Sequence, residues 1–204
     1  AWQPSYQAEA RIFAQHILET KPNAKIAILY QNDDYGRDYL KGFEDGLGDK
    51  AKALIVSKVT YEVTDPTIDS QIVTLKGTGA DVFFNITTPK FAAQAIKKVA
   101  EVGWKPTHYL NNVSASVGSV LTPAGLDNSK DIITAQYIKD PTDPQFQKGK
   151  EWDDYVAWFK KYNANANLAD GFNVYGYTVA QGLVQVLKAA GDNLTHANVM
   201  KQAA

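Results

Sequence analysis

The chain contains 204 residues, of which 45% are hydrophobic and 21% are charged, and its formal net charge is −1 at pH 7. This composition is typical of globular proteins, and the near-neutral charge gives no indication of a nucleic acid or an anionic membrane as a partner. The absence of cysteine excludes disulfide bonds and thiolate chemistry.

The first two thirds of the chain alternate between helix-like and strand-like segments. Apolar residues recur at helical spacing from Tyr6 to Leu18, with Ser5 as a plausible N-cap, and the run from Ile26 to Tyr30 is typical of a buried strand. Such alternation predicts an α/β fold with a parallel sheet between two layers of helices. The predicted order is helix 5–20, strand 24–30, helix 36–47, strand 54–61, helix 67–77, strand 81–86, helix 89–102, strand 108–110 and strand 132–138.

The pattern changes after residue 138. The segment 139–144 is rich in Pro and Asp, which is typical of a hinge or a domain boundary. Beyond it, only helices are predicted, at 145–162, 171–190 and 195–203. The sequence therefore predicts one α/β domain at 1–138, followed by a hinge crossover and helices at 139–204.

A polar loop directly follows the first predicted strand. It reads Gln-Asn-Asp-Asp-Tyr-Gly over residues 31–36. Open α/β sheets bind small ligands where loops leave the carboxyl ends of their strands. We therefore predict that Tyr35 contacts a ligand, and the alternative is an ordinary tyrosine in a surface loop.

Polar residues also follow the fourth predicted strand. Asn111, Asn112 and Ser114 lie in the loop that leaves it. They are candidate hydrogen-bond donors to a ligand, but the same residue types also satisfy the backbone of turns. After the third strand, Thr88 occupies an N-cap position before Pro89, which predicts a capping role.

No pattern typical of an enzyme or a metal site is present. The three histidines, His16, His108 and His196, are far apart in the sequence, and no glycine-rich phosphate loop or Gly-x-Ser-x-Gly motif occurs. Paired acids such as Asp33 and Asp34 hold Mg²⁺ in receiver domains, but those domains need an acceptor aspartate after the third strand. Here that strand ends in Asn-Ile-Thr, without a carboxylate. We therefore predict no catalytic activity, no metal and no cofactor.

Several stretches together resemble the type I periplasmic binding proteins, specifically the branched-chain-amino-acid-binding family that serves ABC transporters. The resemblance covers essentially the whole chain. It implies two lobes that close over a ligand, with 1–138 as the second lobe and about 142–204 packing on the first lobe. The stretches that carry it are 31–37 (QNDDYGR), 74–76 (TLK), 79–82 (GADV), 100–104 (AEVGW) and 172–182 (FNVYGYTVAQG).

The resemblance implies three ligand contacts. Tyr35 matches the tyrosine that stacks on the ligand from the second lobe, and Thr88, or Thr87 beside it, matches a contact in the loop after the third strand. Phe172 matches an apolar contact from the first lobe's helices, although a packing stripe with Tyr175 and Tyr177 is the alternative.

One departure from the family concerns the ligand. The amino-acid binders carry a glutamate that pairs with the ligand ammonium, and Val113 occupies the matching position here. A buried ammonium without a carboxylate is poorly compensated. We therefore expect a small carboxylate ligand, with aromatic acids among the candidates, rather than a free amino acid. The alternatives are an amino-acid-binding protein, or the ligand-sensing domain of a regulator or receptor with this fold.

The family further implies a permease partner and a periplasmic location, reached through a signal peptide that this sequence does not contain. The sequence starts without Met and stops within a predicted helix, and we interpret it as part of a longer protein. The helices at 145–204 would then expose apolar residues and favour a dimer. The residues expected on that exposed face are Val156, Phe159, Val179, Leu183 and Leu187.

Overall fold

The computed structural model describes residues 3–204, which divide into two compact units, 3–137 and 138–204. The α-helices are α1 (Tyr6–Thr20), α2 (Asp34–Leu47), α3 (Ala51–Leu54), α4 (Asp69–Gly77), α5 (Pro89–Glu101), α6 (Thr122–Ala124), α7 (Lys150–Tyr162), α8 (Gly171–Ala190) and α9 (His196–Ala203). The strands are β1 (Ile26–Gln31), β2 (Ile55–Tyr61), β3 (Val82–Ile86), β4 (Thr107–Leu110) and β5 (Ile133–Thr134).

The first unit is built on one five-stranded parallel sheet with the order β2-β1-β3-β4-β5. The two central strands, β1 and β3, are buried along nearly their whole length, as expected for strands covered on both faces. All five strands end at the same edge of the sheet, and their exit loops gather there. The predicted α/β fold with a parallel sheet is confirmed.

Alternate residues of β1 and β3 point to opposite faces of the sheet and into separate apolar clusters. Ile28 and Phe84 join helices α1 and α2 on one face. Leu29 and Phe83 join helices α4 and α5 on the other. The sheet is therefore the middle of three layers, and its burial fixes which side chains remain at the strand ends.

Helices α1 and α2 pack closely because a glycine lies where they meet. A Cβ atom at Gly42 would lie 2.4 Å from the Cα atom and the carbonyl oxygen of Gln7. Ser5 caps α1 as predicted, since its Oγ accepts a hydrogen bond from the backbone N of Ala8. The position of α1 relative to the sheet is thus set by backbone contact as well as by apolar packing.

Two predicted boundaries are wrong. The strand expected at 132–138 is only the two-residue β5, and the helix expected from residue 145 begins at Lys150. In addition, the segment between β4 and β5 contains short helical turns that the sequence did not predict, including one at Asn112–Ser114 and a π-helical turn at Val117–Leu121. Apolar periodicity is a weak signal for elements this short.

The second unit contains α7, α8 and α9. Tyr155 and Trp158 of α7 approach Tyr177 of α8, with ring centroids 5.3 Å and 4.9 Å apart. Phe159, which was expected on an exposed face, is buried beside Tyr155. Other expected positions are exposed, namely Leu183 at 54% and Leu187 at 40% of their surface.

Among residues 3–204, no helix combines the length and the apolar character that a membrane span requires. The longest, α8, has 20 residues and includes Asn, Gln, Thr and Lys side chains.

We predict that the contact at Gly42 limits substitution. Gly42→Ala should lower the free energy of unfolding by about 1–3 kcal/mol, because the added methyl group pushes α1 from α2. Gly77→Ala is the matched control, since a Cβ atom there meets nothing within 4 Å. Urea denaturation of both variants measures the difference, and equal stabilities would contradict the packing described here.

Candidate functional site

Tyr35 lies in the first turn of α2, just after β1. Asp33 caps this helix, its Oδ1 accepting a hydrogen bond of 3.0 Å from the backbone N of Gly36. A Cβ atom at Gly36 would lie 1.9 Å from the carbonyl oxygen of Gln31, so the helix starts directly against the strand end. The Tyr35 side chain is half-buried. Its ring makes T-shaped contacts with the rings of Tyr6 and Tyr39, at centroid distances of 5.1 and 5.3 Å.

The carbonyl oxygen of Thr87 connects three of the predicted site residues. It accepts hydrogen bonds from Asn111 Nδ2 at 2.9 Å, from Ser114 Oγ at 2.5 Å and from the Tyr35 hydroxyl at 3.3 Å. Burial raises the pKa of Tyr35 well above its ordinary value, so the hydroxyl stays protonated and remains a donor. This single acceptor brings the exits of β1, β3 and β4 together.

The side chains of Thr87, Asn111 and Ser114 are fully buried. The hydroxyl of Thr87 donates to Asn85 Oδ1 at 2.7 Å, and Asn111 Nδ2 also donates to the carbonyl oxygen of Asn85 at 3.1 Å. These three side chains therefore organise the edge of the sheet in this conformation, and a role in ligand contact stays a prediction for each of them.

Thr88 belongs to a second polar group at the same edge. It occupies the N-cap position of α5, but its side chain makes no capping hydrogen bond, so the predicted capping role is wrong. Its hydroxyl instead donates to Gln31 Oε1 at 3.1 Å, and its backbone N donates to the Tyr61 hydroxyl at 2.9 Å. Thr88 is half-buried and retains exposed surface at the strand end.

The sequence interpretation missed Glu9, a buried carboxyl group beneath the β4 exit. Glu9 lies on α1 and is only 3% exposed. Its Oε1 accepts a hydrogen bond of 2.8 Å from the backbone N of Asn112. Its Oε2 accepts from the Tyr39 hydroxyl at 3.0 Å and from Asn112 Nδ2. Glu9 falls on the apolar stripe of α1, three residues after Tyr6 and four before Phe13, and a charged residue on such a stripe was the available signal.

His108 of β4 and Asn85 of the neighbouring strand β3 form a further buried polar pair. His108 Nε2 lies 3.2 Å from Asn85 Nδ2, an arrangement in which the amide donates to a neutral imidazole. Burial lowers the pKa of His108 to about 3, so the ring is uncharged at neutral pH. The pair joins the Thr87 side chain to the interior of the sheet through Asn85.

Phe172 belongs to the second unit. It is 46% exposed in the first turn of α8, where Asp170 caps the helix by accepting from the Phe172 backbone N at 3.1 Å. Its exposure is compatible with a ligand contact and equally with packing against another part of a protein. The predicted role of Phe172 therefore stays a prediction.

The described part of the chain, residues 3–204, contains no group of three or more histidine, aspartate or glutamate side chains placed to hold a metal ion. The two acids that precede Tyr35 in the sequence have other partners. Asp33 caps α2, and the Asp34 carboxylate forms an ion pair of 3.1 Å with Arg37. The edge thus offers aromatic, hydroxyl and amide groups to a ligand.

We predict that Glu9 and His108 oppose each other in the pH dependence of stability. Burial raises the pKa of Glu9 from 4.5 to about 7, so its stabilising contribution is complete below pH 4.5 and is lost as pH rises through 7. The pKa of His108 falls from 6.5 to about 3, so its contribution is complete above pH 6.5 and is lost as pH falls.

In the Glu9→Gln variant, only the His108 contribution of these two should therefore remain in the pH dependence of stability. Between pH 4.5 and 6.5, the free energy of unfolding of this variant should rise with pH more steeply than in the wild type, by up to about 1.4 kcal/mol per pH unit. Urea denaturation at several pH values measures the slopes. Glu19→Gln, an exposed change on the same helix, is the control, and parallel slopes for both variants would refute the assignment.

Comparison with known proteins identifies the family. The sequence profile of the family described as "Periplasmic binding protein" matches residues 1–204. The Leu/Ile/Val-binding protein homolog 7 of Brucella abortus is 27% identical over 195 residues, covering 87% of this chain and 47% of that protein. This chain therefore spans about half the length of the curated relatives it matches.

Solved structures share the fold. A branched chain amino acid ABC transporter protein from Thermus thermophilus, with bound valine, matches with a TM-score of 0.83 at 15% identity, over 98% of this chain and 52% of its own. An ABC transporter solute binding protein from R. palustris, in complex with benzoate, matches with a TM-score of 0.71 at 18% identity, over 97% and 50%. The chain belongs to the periplasmic binding proteins, in the type I group related to the branched-chain-amino-acid-binding proteins that its sequence resembles.

Proposed function

We propose that this chain is part of the solute-binding component of an ABC importer, located in the periplasm, which captures a small organic ligand between two lobes. The family match over the whole chain supports this role. The second support is the set of strand exits at one edge of a parallel sheet, which is where open α/β folds bind ligands. A protein with this role binds and releases its ligand without transforming it.

The arrangement of Tyr35 is the observation that carries the proposal. Its hydroxyl is held by the Thr87 carbonyl oxygen, and its ring is fixed between other aromatic rings while part of its surface stays exposed. A rigid, half-exposed aromatic ring provides contact area at low cost in conformational entropy. Thr88 and Asn112, both half-buried at neighbouring strand exits, are placed to add polar contacts.

We propose a carboxylate ligand, with aromatic acids among the candidates, rather than a free amino acid. Val113 follows Asn112 at the β4 exit and offers no charge to an ammonium group. The Glu9 carboxyl group lies nearby, but its oxygens accept three hydrogen bonds and are buried, so it is not free to pair with a ligand. The benzoate complex of the R. palustris protein provides a precedent for such a ligand on this fold.

An amino-acid ligand is the second candidate. The Brucella relative is named as a homolog of Leu/Ile/Val-binding proteins, and the Thermus structure contains valine. An ammonium group would then need a carboxylate from outside the residues described, or a rearranged Asp34, which now pairs with Arg37 at the surface. The two candidates differ in whether the ligand carries an ammonium group, and this difference can be tested.

In the proposed mechanism, ligand binding shifts the two-lobe protein from its open form to its closed form. Only a difference in affinity between the two forms can drive this shift. Closure would bury the ligand against Tyr35, and the permease of the importer would recognise the closed form. The proposed role of the Phe172 side chain is an apolar contact with the ligand.

The ligand class is tested by thermal shift on the full-length two-lobe protein. We expect sodium benzoate and related aromatic carboxylates to raise the melting temperature, and L-valine and L-leucine to leave it unchanged. Tyr35→Ala should weaken binding by about tenfold or more, through loss of the aromatic contact. Tyr162→Ala removes an exposed tyrosine of α7 and is the control. A shift with valine or leucine alone would show that the argument from Val113 is wrong.

We also propose that the 204-residue chain by itself forms a dimer through α8. Leu183, Val184 and Leu187 are exposed on this helix at 54%, 49% and 40%, and adjacent apolar residues favour association. Sedimentation should show a dimer for the wild type and a shift to monomer for Leu183→Lys combined with Leu187→Lys. Val73→Lys, on α4, is the control and should remain dimeric. A wild-type monomer at all concentrations would contradict this proposal.

A further inference from the structure

Glu9 connects three separate parts of the first unit through one carboxyl group. The residue itself lies on α1, the Tyr39 hydroxyl reaches it from α2, and Asn112 reaches it from the β4 exit with both its backbone N and its side-chain amide. Asn112 lies 103 positions away in the sequence. The contact is therefore a long-range tie between a helix pair and a loop.

The helix side of this tie is rigid. Tyr39 is fully buried, and its ring stacks on Tyr6 at a centroid distance of 4.9 Å. The close approach at Gly42 fixes α1 against α2. The loop side is different. Asn111 and Ser114 are fully buried and donate to the Thr87 carbonyl oxygen, whereas Asn112 between them is half-buried and is bonded to Glu9. Loss of the tie would therefore move the part of the loop around Asn112 rather than the helices.

We propose that the Glu9 carboxyl group is a pH-responsive tether, which holds the β4 exit loop (Asn111–Ser114) against α1 and α2 and so positions the ligand-facing edge of the sheet. Glu9 is a positioning residue in this role, since its carboxyl group is buried beneath the loop. The inference rests on the proposed function only in one respect, namely that this loop faces a ligand.

The charge environment of Glu9 explains the pH response. The titratable groups that face it are Tyr39 and Tyr35 from α2 and Tyr6 from its own helix, while the β4 exit contributes only the uncharged Asn112. None of the ion pairs among residues 3–204 includes Glu9. A buried carboxylate without a cationic partner is unfavourable, and hydrogen bonds from Asn112 and Tyr39 offset this only in part.

The direction of the response follows from linkage. Burial raises the pKa of Glu9 to about 7, although the hydrogen bonds from Asn112 and Tyr39 lower it. In the proposed opening of the loop around Asn112, water reaches the carboxyl group and its pKa falls toward 4.5. The closed loop therefore binds a proton more tightly than the open loop. Closure is most stable at low pH, and this stability is lost as pH rises from 4.5 through 7.

Native-state hydrogen exchange of the ligand-free 204-residue chain tests the proposal. The protection factor of the Asn112 amide, corrected for the intrinsic exchange rate, should fall by about tenfold or more between about pH 5 and about pH 8. In Glu9→Gln it should be independent of pH, because the amide oxygen keeps the bond from Asn112 N without titrating. Glu19→Gln should behave as the wild type, and the Phe84 amide in β3 serves as an internal reference for global unfolding.

Two results would overturn the proposal. One is an Asn112 protection factor that does not change with pH in the wild type. The other is a change that the Phe84 amide follows equally, since Glu9 would then act only on global stability. The hydrogen-exchange experiment contains no ligand, so its result does not depend on the proposed solute-binding role. Failure of that role would be measured by the thermal-shift experiment instead.

Discussion

The carbonyl oxygen of Thr87 is the acceptor on which the carboxyl edge of the sheet depends. A buried carbonyl group must be hydrogen-bonded, and this one receives donors from Tyr35, Asn111 and Ser114. These donors come from two different strand exits, and each also has a fixed place in the sheet or in α2. The orientation of the Tyr35 ring, the path of the β4 exit and the end of β3 are therefore determined together rather than one by one.

The polar residues at this edge of the sheet are of two kinds. Buried side chains, such as those of Thr87 and Asn111, satisfy backbone groups and give the edge its shape. Half-buried side chains, such as those of Tyr35, Thr88 and Asn112, retain surface that a solute can contact. Preorganisation of this kind lowers the entropy lost on binding, because the contacting groups are already held in place. Under the proposed function, this part of the binding site would be formed before the lobes close.

The elements with a regular apolar periodicity could be predicted from the sequence, whereas the features that depend on single contacts could not. The run from Ile26 to Tyr30 and the helix with Phe43 and Leu47 follow ordinary periodicities, so the α/β order and the position of Tyr35 after β1 were predictable. The two-residue β5 was not, because its extent is decided by pairing with β4. Glu9 was missed because its partner Asn112 is distant in sequence and only the folded chain brings them together.

The first turn of α2 leaves no room for change in its backbone. A side chain at Gly36 would collide with the carbonyl oxygen at the end of β1, and an added residue would displace Tyr35 from the groups that hold it. A change at the β1 exit would therefore alter the start of α2 and the orientation of the Tyr35 ring together. Under the proposed function, variants that aim at ligand selectivity should keep the β1 exit constant and change Thr88 or Asn112. Each such change also removes a hydrogen bond, from Thr88 to Gln31 or from Asn112 to Glu9.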